Sequence, residues 1–308
     1  MRPGHTIQQI ERTPFAPSTN GSNGDVISEH SVVGRSQVPV TQQALERDLR
    51  KLGLGPGMDV LVHCSMSSLG WVCGGAQTVI SALVNVVTPD GTIVMPAFTT
   101  WNTDPANWQN PPVPAEWHQS IREEMAPYIP QISPSRGVGR VAELFRSLPG
   151  VKRSMHPIVS VCAWGRLAHE ITREHPLDCQ FGERSPLGRL YELDGQVLSL
   201  GVRTNSTLHL SEHIGRWQGK RMQREGCSML IDGQRRWVEF EDLASDDSDF
   251  IAIKDEFERD TEHTLYGKVG SADSRLVRVS AMVDYGAWWM EQHRNSGNNE
   301  ASAAAAAG

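Results

Sequence analysis

Two short apolar segments with a helical segment between them constrain the fold most. Residues 59–65 read DVLVHCS and residues 88–98 read TPDGTIVMPAF, and each has the length and apolar content of a buried strand. Between them, residues 76–87 read AQTVISALVNVV, in which apolar side chains recur at helical spacing. Strands joined through a helix in this way are typically parallel, because a tight turn joins only antiparallel strands. The order strand–turn–helix–strand therefore predicts an α/β fold.

The rest of the chain alternates in the same manner. A helix is expected at residues 41–54, where Thr41 can cap the first turn and Leu45, Leu49 and Leu52 share one face. The other predicted elements are a helix at residues 139–150, a strand at 195–202, a helix at 204–213, strand-like segments at 227–243 around a turn, and a terminal helix at 273–293. We therefore expect a mixed β-sheet core flanked by helices on both faces.

The two ends of the 308-residue chain contain few residues that could form a core. Residues 16–26, APSTNGSNGDV, are almost all small or polar, and the last residues are mostly Ala, Asn, Ser and Gly. We predict a disordered segment at residues 1–37, one folded domain at 38–295, and a disordered tail at 296–308.

Composition limits the partners of the chain. Its net charge is −7, so no nucleic acid is expected and cationic ligands are favoured. No apolar run reaches the roughly 18 residues that a membrane helix needs, and the first residues lack the apolar core of a secretory signal. The five cysteines include no C-x-x-C pair, which indicates reduced thiols. We expect a cytoplasmic protein that binds no membrane, and the sequence is compatible with a homodimer.

The stretch LGVRTNSTLHLSEHIG, residues 200–215, contains a candidate general base. Asn205 or Ser206 can cap the helix that follows the strand, which places His209 in or near its first turn. The positive end of the helix dipole disfavours a second proton on an imidazole there, so a neutral ring able to accept a proton is expected. Glu212, three residues on, can orient this ring or hold a cationic substrate. Alternatively, the histidine is only a hydrogen-bonded residue at a helix end.

The same stretch also fits a zinc site. H-x-x-E-H, here His209, Glu212 and His213, is the signature of inverzincins, in which two histidines bind zinc and the glutamate is the base. Such a motif usually lies well inside a long helix, whereas Gly215 follows here at once. A third ligand is also needed. Candidates for it are Glu239, Glu241 and Asp242. We predict no metal and keep a zinc-dependent hydrolase as an alternative.

A Gly- and Ser-rich turn after the first strand is a candidate anion site. Residues 62–75, VHCSMSSLGWVCGG, offer hydroxyl groups and close backbone approach just before a helix, which suits a phosphate. The segment matches neither the P-loop nor G-x-G-x-x-G. In KRSMHPIVS, the cations Lys152 and Arg153 beside Ser154 also suit a phosphate-bearing ligand, or they lie in a solvated basic turn.

Two further segments have both a structural and a functional interpretation. The Pro-, Trp- and Asn-rich residues 101–135 are too long for a simple connector, so they form either a binding loop or a loop anchored by its tryptophans. The acidic run ASDDSDF contains Asp246, Asp247 and Asp249. It is either a solvated loop or a lip that binds an ammonium group, for which Asp247 and Asp249 are the predicted substrate ligands.

Together these stretches resemble the aminoglycoside 3-N-acetyltransferase family of antibiotic acetyltransferases. In chain order, the matching stretches are LVHCSMSSLGWVCGG, GTIVMPAF, RGVGRVAELFRSLPGVKRSMHP, FGERSPLGRLYELDGQVLSLGV, NSTLHLSEH and GKVGSADSRLVRV. The loop NPPVPAEWH is similar to that of Bacillus-type members. The resemblance implies the antibiotic N-acetyltransferase fold and not the GNAT fold, whose Q/R-x-x-G-x-G/A signature is missing because Pro134 stands at its first position.

The resemblance also implies an activity and a set of site residues. Acetyl-coenzyme A (acetyl-CoA) is the co-substrate, no metal is used, and the acceptor is the 3-amino group of the deoxystreptamine ring of an aminoglycoside. It implies that His209 is the general base, that Glu212 supports it or the substrate amine, and that the hydroxyls of Ser206 and Thr207 lie near the thioester. The implied coenzyme-binding residues are Ser65, Met66, Ser67, Ser68, Gly70, Gly75, Arg153 and Ser154.

The expected reaction is direct acetyl transfer through a ternary complex. His209 removes a proton from the amine, the amine attacks the thioester carbonyl, and the Ser206 or Thr207 hydroxyl with nearby N–H groups stabilises the oxyanion. Besides the zinc hydrolase, the alternative is a non-catalytic amine-binding protein, which would release no free thiol from acetyl-CoA.

Overall fold

The computed structural model describes residues 28–294, in which a seven-stranded mixed sheet forms the centre. The strands are β1 (Asp59–Cys64), β2 (Thr92–Pro96), β3 (Lys152–Arg153), β4 (Val161–Gly165), β5 (Gln196–Leu200), β6 (Met222–Ile231), β7 (Gln234–Leu243), β8 (Thr264–Val269) and β9 (Ala272–Arg278). Their order in the large sheet is β3-β4-β2-β1-β5-β9-β8, and β6 and β7 form a separate hairpin.

Ten α-helices accompany these strands over the described residues. They are α1 (Glu29–Arg35), α2 (Gln42–Leu52), α3 (Gly75–Val87), α4 (His118–Glu124), α5 (Gly139–Phe145), α6 (Ala168–Thr172), α7 (Pro186–Glu192), α8 (Thr207–Ile214), α9 (Phe250–Asp260) and α10 (Val279–His293). Short 3-10 turns lie at Met66–Leu69, Pro105–Asn107 and Ala115–Trp117. Within residues 28–294, none of the helices has the length and apolarity needed to cross a membrane.

The predicted parallel pair is confirmed and lies at the middle of the sheet. β1 pairs in parallel with β2 on one side and with β5 on the other, with Val60 opposite Ile93 and Leu61 opposite Val197. β4 and β9 are antiparallel to their neighbours β2 and β5. The carboxyl ends of the three parallel strands therefore meet at one edge of the sheet, which is where side chains from different strands can form a site.

Helices cover both faces of the sheet, as the mixed α/β prediction requires. On one face, Val60 and Val62 of β1 pack in a core with α2, α3 and α5. On the other face, the intervening Leu61 packs in a second core with α6 to α10. Successive side chains of a strand point to opposite faces, so a continuous apolar strand can serve both cores.

Helix α2 shows how closely local sequence specifies an element here. The hydroxyl of Thr41 accepts the N–H of Ala44 at 3.2 Å and caps the first turn. Leu45, Leu49 and Leu52 are all buried, and the helix ends at Gly53 with φ of 111°, a left-handed conformation that glycine adopts easily.

Two predicted boundaries are wrong. Residues 273–293 are not one helix, because Ala272–Arg278 form β9 and pair with β5, and α10 begins only at Val279. Disorder over residues 1–37 does not hold for Glu29–Arg35, which form α1, with Ser28 accepting the N–H of Ser31 at 3.2 Å. Residues 1–27 and 295–308 lie outside the described residues.

Candidate active site

Helix α8 begins near the carboxyl edge of the sheet and carries the candidate base. It follows β5 after residues 201–206 and begins at Thr207. Ser206 is the N-cap residue, and the Oδ1 atom of Asn205 accepts the backbone N–H of Thr207 at 3.1 Å, which satisfies one of the free N–H groups of the first turn. His209 therefore lies in the first turn, as predicted.

The ring of His209 is held by two aromatic rings and a carboxylate. Its centroid lies 4.5 Å from that of Phe181, with the planes 17° apart, and 4.8 Å from that of Phe250. The Nδ1 atom lies 2.8 Å from Oε2 of Glu212. Because a carboxylate only accepts hydrogen bonds, Nδ1 carries a hydrogen, so the neutral form of the ring has its proton-accepting lone pair on Nε2. This is the arrangement that a general base requires.

Glu212 is bound entirely to protein groups. Its side chain is 1% exposed, and its Oε1 atom accepts the N–H of Asp246 at 2.9 Å and the Nη1–H of Arg294 at 3.0 Å. Its other oxygen accepts from His209. Glu212 therefore orients His209, and its predicted role as a ligand of the substrate amine is wrong because the carboxylate does not reach the solvent.

Arg294 also forms an ion pair with Asp249. Its Nε and Nη2 atoms donate to the two carboxylate oxygens of Asp249, each at 2.8 Å. The side chain of Asp249 is 21% exposed, but both of its oxygens are paired with Arg294, so the structure gives it an internal ion pair in place of the predicted contact with substrate. Asp246 and Asp247 have exposed side chains and keep the interpretation as an acidic lip.

The serine-rich turn after β1 forms one wall of a cleft of about 420 Å³. Of the predicted coenzyme-binding residues, Ser65, Met66, Ser67, Gly70 and Gly75 line this cleft. Cys64, Gly139, Arg140 and two residues of α1, Glu29 and Val32, are among the others that line it.

Ser68 of the same turn is tied to the neighbouring strand. Its hydroxyl donates to Ser65 Oγ at 2.8 Å or to the carbonyl of Gly201 at 3.2 Å. Gly201 has a φ of 67°, and a Cβ atom there would lie 2.3 Å from Cβ of Ser68. The end of β5 therefore packs directly against the serine turn, and Ser68 holds the turn in place.

Arg153 and Ser154 have internal roles in place of the predicted contact with coenzyme phosphate. The guanidinium of Arg153 donates to the carbonyls of Ala97, Pro130 and Ser133 and to the hydroxyl of Ser160. Ser154 is completely buried, and its hydroxyl accepts the N–H of Val161 and contacts His175 Nδ1 at 2.9 Å. The prediction is corrected because four of the five N–H groups of Arg153 are bonded within the protein.

The two predicted hydroxyls at the start of α8 differ in their surroundings. Thr207 is completely buried, and its hydroxyl donates to Oδ1 of Asn205. It is therefore not available to an oxyanion. The hydroxyl of Ser206 lies 3.3 Å from Nε2 of His63, the residue before Cys64 on β1.

Pro- and Trp-rich residues 101–135 line a second cleft, of about 560 Å³. Trp101, Trp108, Arg136 and Glu225 are among its lining residues, and burial raises the pKa of Glu225. Phe98, three residues before Trp101, contacts the ring of Phe181 at 5.9 Å between centroids, and Phe181 in turn stacks on His209. This segment is not irregular throughout, since it contains α4.

The zinc interpretation has no support from the arrangement of ligands. Over residues 28–294, no three His, Cys, Asp or Glu side chains converge in a way that could hold a metal ion. The carboxylate of Asp242, a predicted third ligand, accepts the N–H of Gln180 at 2.6 Å. All five cysteines lie in the described part of the chain, and none forms a disulfide.

Three residues of the site, which are His63, Phe181 and Arg294, were not identified from the sequence. Each comes from a different part of the chain, and Arg294 and Glu212 are 82 residues apart. His63 had a signal, since it is a histidine at the end of a central strand just before the serine turn, but its contact depends on a residue 143 positions away.

Comparison with known proteins identifies the family of the chain. Residues 61–291 match the family model described as aminoglycoside 3-N-acetyltransferase. The chain is 44% identical over 262 residues to the SPbeta prophage-derived aminoglycoside N(3')-acetyltransferase-like protein YokD of Bacillus subtilis, covering 84% of this chain and 95% of that protein. It is 38% identical over 285 residues to aminoglycoside N(3)-acetyltransferase VII of Streptomyces paromomycinus, covering 86% and 96%.

Solved structures agree as well. The crystal structure of YokD from Bacillus subtilis superposes with a TM-score of 0.84 at 41% identity, covering 86% of this chain and 98% of that one. The binary complex of AAC-IIIb with CoASH has a TM-score of 0.74 at 32% identity, and AAC-VIa bound to sisomicin has 0.73 at 28%; they cover 83% of this chain and 97% and 98% of their own. The fold is therefore that of the aminoglycoside acetyltransferases and not the GNAT fold. This chain belongs to the aminoglycoside 3-N-acetyltransferase family.

Proposed function

We propose that this protein transfers the acetyl group of acetyl-CoA directly to the 3-amino group of the deoxystreptamine ring of an aminoglycoside, with His209 as general base. The observation that carries this proposal is the 2.8 Å contact between His209 Nδ1 and the buried carboxylate of Glu212 at the start of α8. It leaves Nε2 of the ring as a proton acceptor. The names of the relatives supply the substrate class, and AAC-IIIb with CoASH supplies the coenzyme.

The proposed step needs no covalent enzyme intermediate. Nε2 of His209 accepts a proton from the amine as the nitrogen attacks the thioester carbonyl, and the carbon–sulfur bond then breaks to give the amide and the free thiol of coenzyme A. The positive end of the helix dipole at the start of α8 stabilises the oxyanion. The negative charge of Glu212 stabilises the imidazolium that forms on His209.

The two clefts supply the two ends of the proposed site. The cleft over the serine turn offers hydroxyls and small residues to the coenzyme, and Arg140 is among its lining residues. The cleft near Trp101 and Glu225 and the exposed carboxylates of Asp246 and Asp247 offer aromatic and acidic groups to a polycationic sugar. Acetyl-CoA as co-substrate is in keeping with the expected cytoplasmic location, and the homodimer stays a prediction.

A free-thiol release assay with acetyl-CoA over a panel of aminoglycosides tests the proposal. We expect release that depends on an aminoglycoside, with one acetyl group found by mass spectrometry on the 3-amino group of the product. A protein that binds aminoglycosides but releases no thiol would be the non-catalytic binder. Loss of activity on chelation, together with one zinc per chain, would support the hydrolase alternative.

A further inference from the structure

His63 is a histidine that the proposed reaction has not used, although it lies against the catalytic helix. It is the fifth of the six residues of β1, so it lies near the carboxyl end of this strand. There it is in register with the last residues of β5. Its Nε2 atom lies 3.3 Å from the hydroxyl oxygen of Ser206 and 3.5 Å from the backbone nitrogen of Ser206, whose N–H points at it. Ser206 is the residue just before α8, and His209 follows three positions later.

The contact with the backbone N–H of Ser206 identifies the tautomer of His63. A backbone N–H can only donate, so Nε2 is the acceptor, and the ring hydrogen lies on Nδ1. The same lone pair attracts the hydroxyl hydrogen of Ser206. The hydroxyl of Ser206 then donates its hydrogen to His63, and its oxygen keeps its lone pairs. A substrate N–H can donate to these lone pairs, whereas an oxyanion needs a donor and finds none there.

The surroundings of His63 keep its ring neutral. Burial, together with the smaller effects of the charges of Lys254 and His209, lowers the pKa of His63 to about 4. Lys254 is itself buried, and its ammonium group donates to the carbonyl of Arg203 in the segment that leads into α8. A neutral ring next to His209 does not repel the imidazolium that forms there, and it does not take the proton of the amine.

We infer that His63 is a positioning residue, which accepts both donors of Ser206 through Nε2 and thereby fixes the start of the helix that carries His209. The inference rests on the proposed function for its catalytic consequence. Asn205 accepts the N–H of Thr207 in the same turn, so two neighbouring residues are held by two different side chains. Both contacts therefore fix the position of His209.

The test compares two replacements of His63. His63→Leu removes the acceptor and keeps an apolar side chain, whereas His63→Gln keeps an acceptor oxygen near the place of Nε2. We expect His63→Leu to lower kcat about 10²-fold, the usual effect of a small misplacement of a catalytic group, with little change in either KM. His63→Gln should recover most of this loss. The exposed His169 provides the matched control, and His169→Leu should leave kcat unchanged.

A double-mutant cycle shows whether His63 acts through Ser206. If it does, His63→Leu combined with Ser206→Ala should be no slower than the slower single variant. The inference would be overturned if the rate losses of the two single variants multiplied in the double variant, or if His63→Gln were as slow as His63→Leu.

A nuclear magnetic resonance measurement on the wild-type protein tests the contact without any turnover. The two-bond proton–nitrogen correlations of the His63 ring should show hydrogen on Nδ1 and none on Nε2 at pH 6 to 8. Hydrogen on Nε2, or a cationic ring, would overturn the inference even in an active enzyme. If the wild-type protein shows the expected tautomer and yet releases no thiol with any aminoglycoside, the proposed function fails and the contact stands.

Discussion

Replacing Glu212 by glutamine should invert the tautomer of His209. In the native site, Oε1 of Glu212 accepts from Arg294 and from the N–H of Asp246, while Oε2 accepts from Nδ1 of His209. A glutamine satisfies the first two donors only with its carbonyl oxygen. Its amide group then faces Nδ1 of His209 as a donor, so Nδ1 must accept and the ring hydrogen moves to Nε2. The base would then present a hydrogen to the amine in place of a lone pair.

The size of the effect follows from the loss of a general base and of the charge that stabilises the imidazolium. The same tautomer inversion in a serine-protease triad lowers kcat about 10⁴-fold. General-base catalysis alone contributes about 10²–10⁴-fold. We therefore expect Glu212→Gln to lower kcat by about 10³–10⁴-fold. Since Glu212 does not reach the solvent, the KM of the aminoglycoside should change little.

The assay is steady-state thiol release with both substrates varied, and Asp249→Asn is the matched control. Asp249 binds the same Arg294 but does not contact His209, so its replacement removes a carboxylate from the network and leaves the tautomer intact. We expect Asp249→Asn to lose stability and to keep most of kcat. If Glu212→Gln keeps more than about a tenth of kcat, or raises the aminoglycoside KM at unchanged kcat, the orienting role of Glu212 is refuted.

Further predictions concern the turn, the scaffold and acid stability. Gly201→Ala should raise the Kd of acetyl-CoA in calorimetric titration, because the Cβ atom of the new alanine would displace Ser68. Gly57→Ala is the control, since Gly57 also has a positive φ, of 78°, but has open space around it. This control should cost only about 1–2 kcal/mol of stability. Arg153→Ala should lower the free energy of unfolding in denaturant melts by about 2–4 kcal/mol without changing the Kd of acetyl-CoA. An unchanged melt together with a higher Kd of acetyl-CoA would restore the role of Arg153 as a coenzyme ligand. Burial lowers the pKa of His63 and of His175 to about 4. The unfolded chain takes up protons below about pH 6.5, so stability should fall between pH 6.5 and 4, by up to about 3 kcal/mol for each histidine, and a flat profile would contradict this.

The predictable parts of the fold are those with a strong local pattern. The helix over Gln42–Leu52 has a cap, an apolar face and a terminal glycine, and the parallel pair has two apolar strands around a helix. Strand β9 was hidden because ADSRLVR leads into α10 without a proline or glycine to separate them. Only pairing with β5, more than 70 residues earlier in the chain, makes it a strand.

The same distinction applies to the site. His209 and Glu212 are three residues apart on one short helix, so their contact follows from helical geometry. Arg294 reaches Glu212 from the far end of the chain, and it decides that Glu212 and Asp249 are internal counter-ions. No local pattern distinguishes a carboxylate with such a partner from one that is free to bind a substrate.

Acetyl-CoA turnover by the His209→Ala variant tests the central claim most directly. Wild-type and variant proteins with matching melting curves should be compared in free-thiol release with saturating acetyl-CoA and an accepted aminoglycoside. The account predicts aminoglycoside-dependent release by the wild-type protein and a rate about 10²–10⁴-fold lower for the variant, the usual loss for a general base. Turnover by His209→Ala near the wild-type rate would contradict it.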